Sequence, residues 1–88
     1  IPAARWRAMA EALAEPRSVL LALSSAEAFD AMLRQQPADL AKPLRRIAVT
    51  AASERLAQAA RDAGFRRVAI AAGARPASLL RAAADAFV

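Results

Sequence analysis

The apolar positions along the chain fall into two rhythms. Val19 to Leu23 are consecutively apolar, without alternation and too short for a stand-alone helix. That is the pattern of a strand buried on both faces of a parallel sheet. Further apolar runs follow Arg45-Arg46 and Arg66-Arg67, with Ile47-Ala48-Val49 in the first and Val68 and Ile70 at the centre of the second. The pattern therefore predicts strands over residues 18–24, 45–50 and 66–72. Around them the spacing changes to the i, i+3, i+4, i+7 period of a helix face.

Trp6, Met9, Ala10 and Leu13 mark a first helix over residues 2–14, with Pro2 tolerated at an early helical position. Glu15-Pro16 stops it, because proline disfavours helical geometry in the residue before it. Ala26, Phe29, Met32 and Leu33 give the inner face of a helix over 26–35, with Asp30 and Arg34 as an outward i, i+4 pair. Leu56, Ala59, Ala60 and Ala63 do the same for 52–63, and Gly64 supplies a left-handed stop. Leu79, Leu80, Ala83 and Phe87 are the expected inward positions of a last helix over 76–87. The proline-flanked segment 37–44, carrying Asp39 and Lys42, reads as a surface loop with room for one helical turn.

Helices and strands thus alternate along the whole chain. Such alternation implies an α/β fold: a parallel sheet with right-handed crossovers and helices on both faces. Three strands and four helices make an incomplete flavodoxin-like half, read as one partial domain over residues 1–88. The chain opens Ile-Pro without methionine and is only 88 residues long. It is therefore expected to be part of a longer polypeptide whose remainder completes the sheet.

Composition narrows the chemistry. The sequence contains neither cysteine nor histidine, which removes disulfides, thiolate nucleophiles, the ordinary zinc sites and the Ser-His-Asp triad. Lys+Arg number 13 against 8 Asp+Glu, a net charge of +5, and Lys42 is the only lysine. Guanidinium groups hold carboxylates and phosphates bidentately, so the excess suits a partner rich in either. Alanine and arginine richness also fits solvated helix faces encoded by a GC-rich bacterial genome. Nucleic acid is not an expected partner, since the arginines are dispersed and accompany no recognised motif or stacking platform. No apolar run reaches membrane-spanning length and no signal-peptide pattern appears, which makes a cytoplasmic address the default.

Ligands in open parallel sheets sit at the carboxyl ends of strands. Here that edge would carry Ser24 and Ser25, then Thr50 and Ser53, then Gly73 and Arg75, with Arg55 leaning over it from the third helix. Ser24 precedes Glu27 by three residues, the spacing of a capping box. Hydroxyls, amides and an arginine at helix N-termini suit an anion. Each residue also has a plainer role: Ser24, Thr50 and Ser53 as helix caps, Arg75 as an exposed turn residue, Gly73 as relief for a tight turn. No Gly-rich nucleotide loop is present. Arg45-Arg46 and Arg66-Arg67 stand at strand starts, on the opposite edge, where they are expected to serve solubility rather than substrate binding.

Two segments carry a resemblance. Val19-Leu20-Leu21-Ala22-Leu23-Ser24-Ser25-Ala26-Glu27-Ala28 resembles the strand, Ser-Ser and acid-containing helix of uroporphyrinogen-III synthase. The run from Ser53-Glu54-Arg55-Leu56-Ala57 through Gly64-Phe65 to Val68 is similar to a later segment that proteobacterial members often write His-Pro-Arg-Ile-Ala-Glu-Ala-Ala-Arg, then Gly-Phe and a Val-rich strand. The spacing between the segments fits, and the resemblance covers residues 16–88, the C-terminal part of a longer enzyme. Ser53 and Glu54 stand where many relatives have His-Pro, so any role of that histidine is absent here.

The resemblance implies two α/β domains joined by a linker, with the active site in the cleft between them. The implied reaction is cyclisation of hydroxymethylbilane to uroporphyrinogen III with inversion of the last pyrrole ring, without metal or organic cofactor. It makes Ser24, Ser25, Thr50, Ser53 and Arg55 substrate-binding candidates for a polycarboxylate linear tetrapyrrole, and it names no catalytic residue in this chain. The family's proposed tyrosine acid has no counterpart, because the sequence contains no tyrosine. The remainder of the same polypeptide is the implied partner, and this portion alone is expected to be inactive. The alternative is a non-catalytic flavodoxin- or receiver-like module that binds an anionic ligand or a protein. The acidic cluster and later lysine of a receiver are missing.

Overall fold

The computed structural model describes residues 3–87 of the chain. Helix α1 (Ala3–Ala12) is followed by a 3-10 turn at Pro16–Ser18 and strand β1 (Leu20–Leu23). Helix α2 (Ala26–Gln35) leads through a second 3-10 turn, Ala38–Leu40, into the one-turn helix α3 (Ala41–Leu44). Then come β2 (Ala48–Ala51), α4 (Glu54–Asp62), β3 (Arg67–Ile70) and α5 (Pro76–Phe87). Pro2, expected within the first helix, lies outside the described residues.

The strands form one parallel sheet in the order β1-β2-β3. Leu23 pairs with Ala51 and Ala51 with Ile70, and the Ala52 and Ala71 N–H groups carry the ladder one step further at the carboxyl edge. All of β2 is buried while the outer strands are only partly so, as a centre strand covered on both faces must be.

Side chains alternate between the two faces. Val49 and Ala51 point into a core with Leu23, Phe29 and Met32 of α2, and Leu56, Ala57 and Ala60 of α4. Trp6 and Leu13 join this cluster, which docks α1. Phe29 and Phe65 meet inside it with ring centroids 5.8 Å apart and tilted by 54°, a favoured aromatic arrangement. On the other face Leu20, Ala48 and Arg67 meet Ala83 and Phe87, so α5 lies across the sheet.

Helices α2 and α5 span the residues expected of them, whereas other boundaries and faces differ. Residues 45–47 are not strand: the Arg45, Arg46 and Ile47 N–H groups donate to Lys42, Pro43 and Leu44, continuing the turn that leaves α3. Strand β2 accordingly starts and ends later, and Thr50 is interior to it. Leu80 is 61% exposed rather than inward, while Leu79 beside it is 4% exposed. One residue on a helix is a 100° rotation, and the packed stripe runs through Ser78, Leu79, Ala82, Ala83 and Phe87.

Helix α4 ends as its sequence suggests. Gly64 has φ +100, the Phe65 N–H donates to the Ala60 carbonyl (3.0 Å) and the Gly64 N–H to Arg61 (3.0 Å). Those two bonds are a Schellman motif, and it delivers Phe65 into the core at 2% exposure.

Candidate functional site at the carboxyl edge

Helices α2 and α4 start from equivalent places on neighbouring strands. Ser25 stands two residues beyond Leu23 and Ser53 two beyond Ala51, and Leu23 and Ala51 are register partners. Each serine is extended and caps its helix: Ser25 Oγ accepts from the Ala28 N–H and Ser53 Oγ from the Leu56 N–H, both at 3.2 Å. Strands in one sheet lie about 4.8 Å apart, so two helix N-termini open side by side on this edge. Their partial positive charges and remaining free amides face the same solvent.

The cap of α2 is therefore Ser25, not Ser24, and the expected Ser24–Glu27 capping box does not form. Helix α2 begins at Ala26, which makes Ala28 the residue whose N–H the cap receives and leaves Glu27 in the first turn. Ser24 is exposed and holds no cap. It forms the lip of a hollow of about 250 Å³ that Leu21, Leu23, Phe29 and Met32 line with apolar surface. Arg55 is exposed on the first turn of α4.

Thr50 does not reach this lip. Its side chain is 0% exposed because it sits inside β2, between Ala22 and Ala69 on the face that α5 covers. Thr50 Oγ1 has no hydrogen-bond partner among the described residues. The hydroxyl that β2 offers to the edge is Ser53 alone.

The third strand end is different. Arg75 holds the cap position of α5 through its carbonyl, which accepts from the Leu79 N–H at 3.1 Å, and Arg75 is exposed. A methyl group at Gly73 would meet no heavy atom within 4 Å, so this bend is open space. Ser24, Ser25, Ser53 and Arg55 thus share one edge with open helix N-termini, and Thr50 is withdrawn from it.

The opposite edge holds what the sequence reading missed. Lys42, Arg45, Arg46, Arg66 and Arg67 surround a hollow of about 690 Å³. The available signal was an Arg-Arg pair at or just before the start of each of two neighbouring strands. Parallel pairing had to bring those pairs together, but only the turn through α3 adds Lys42. No family model matches the chain, and no curated protein or solved structure is significantly similar to it. Among the described residues no cluster of carboxylates is placed to hold a metal ion, and no helix is long and apolar enough to cross a membrane.

Proposed function

We propose that this chain is the C-terminal α/β portion of a uroporphyrinogen-III synthase, whose carboxyl edge holds the acetate and propionate groups of hydroxymethylbilane. The observation that carries the reading is the pair of serine-capped helix N-termini, α2 and α4, opening at equivalent register from adjacent strands. Carboxylates are stabilised there by free amides and by the helix dipoles. Ser24 and Arg55 add a hydroxyl and a guanidinium at the same edge. The apolar hollow behind Ser24 suits a pyrrole ring whose acidic arms reach the lip. Cyclisation in this reading depends on holding a folded substrate while its hydroxyl departs, which is catalysis by positioning and charge stabilisation.

A polycarboxylate porphyrin should stabilise the folded protein by mass action. At a hundredfold excess over Kd, uroporphyrin III is expected to add about 2.7 kcal/mol, a rise in Tm on the order of 10 °C. The Ser24→Ala/Arg55→Ala variant should lose most of that rise while keeping its ligand-free Tm. An unchanged rise in that variant would mean that the polycarboxylate is held elsewhere.

A further inference from the structure

Thirteen cations and eight carboxylates give the chain its charge of +5. Five of the cations, Lys42, Arg45, Arg46, Arg66 and Arg67, line one hollow at the amino edge of the sheet, and no carboxylate is among its lining residues. The remaining eight cations equal the acids in number and are spread over the rest of the chain. Five cations with no carboxylate among them make this hollow a local concentration of positive charge, the kind of focused field that attracts an anion.

The five side chains divide by commitment. Arg45 is fixed: its Nε donates to the Ala63 carbonyl (3.0 Å), its Nη1 to the Ala41 carbonyl (3.0 Å) and to Gln36 Oε1, and its guanidinium lies 5.1 Å from the Phe65 ring centroid. It answers the negative end of α4 and ties α3 to that end. Arg67 is held by the Arg46 carbonyl (3.3 Å) and by the Phe87 ring at 5.3 Å. Lys42, Arg46 and Arg66 are exposed, and among the described residues their side chains make no hydrogen bond.

We propose that this groove is an anion site, separate from the carboxyl edge, for a small molecule carrying two linked phosphate groups. Linked phosphates bring roughly three negative charges, equal to the uncommitted Lys42, Arg46 and Arg66. Arginine meets phosphate oxygens bidentately and lysine meets them as a point charge. The hollow's ~690 Å³ is the size of a small-molecule site. Gly64 lies in its wall, where a methyl group would stand 3.4 Å from Arg45 Cγ. A nucleic-acid strand fits less well, because Phe65 is buried beneath Arg45 and the half-buried Phe87 ring already has the Arg67 guanidinium over it.

Isothermal titration of the full chain with sodium pyrophosphate at low ionic strength tests this. Saturable binding is expected, weakened about tenfold or more by Arg46→Ala/Arg66→Ala, and less than about twofold by Arg5→Ala/Arg7→Ala, which removes the same charge from exposed positions on α1. Lys42→Ala alone should weaken binding in the same direction. Absent binding, equal weakening by the two double variants, or tighter binding of single-stranded DNA than of pyrophosphate would overturn the proposal.

Discussion

Single residues at the carboxyl edge separate stabilising roles from binding ones. Ser25 and Ser53 each satisfy a helix N–H, so Ser25→Ala or Ser53→Ala should cost about 1 kcal/mol in a urea titration. Ser24 caps nothing, and Ser24→Ala should stay within about 0.5 kcal/mol. A cost at Ser24 matching that at Ser25 would contradict the cap assignment. The sequence displayed both serines but not which one caps, since that depends on the strand ending at Leu23 rather than at Ser24. Thr50 shows the opposite failure. Its hydroxyl looked available at a strand end, and one residue of difference in the end of β2 turned it into a buried group without a partner. An unpaired buried hydroxyl is costly, so Thr50→Val should raise stability by about 1 kcal/mol. A loss would show that the hydroxyl is bonded in solution.

At the scale of elements, apolar periodicity and stop signals were the readable part. Residues 26–35 and 76–87 are helical as the period predicted, and Gly64 ends α4 with the left-handed geometry its position suggested. What periodicity leaves open is the rotation of a helix whose apolar stripe is broad. Leu79 and Leu80 are chemically identical neighbours on α5, yet only Leu79 packs against the sheet. Leu79→Ala should therefore cost about 2–5 kcal/mol and Leu80→Ala less than about 0.5 kcal/mol, measured as shifts in the denaturation midpoint at constant m. Similar costs at the two positions would contradict the placement of α5. The starts of β2 and β3 were misjudged for another reason. Arginine pairs before a strand do not say whether they belong to it, and hydrogen bonding through α3 decides that Arg45 and Arg46 belong to a turn.

For the whole molecule, the parallel three-strand sheet with helices on both faces follows from strict alternation of elements, because short connections and right-handed crossovers leave few other arrangements. The same topology makes two chemically different edges from one chain. Its carboxyl edge gathers helix N-termini and serines; its amino edge gathers basic side chains, of which Arg45 meets the end of α4. The first is the basis of the synthase reading and the second of the phosphate site, so the two can fail independently. The synthase proposal is tested by an isomer assay on the full-length gene product, with hydroxymethylbilane generated in situ and the two uroporphyrinogen isomers separated. Predominantly the type III isomer is expected, with the yield reduced by Ser24→Ala/Arg55→Ala and unaffected by Arg46→Ala/Arg66→Ala. Only the spontaneously formed type I isomer, from protein shown to be folded, would contradict it.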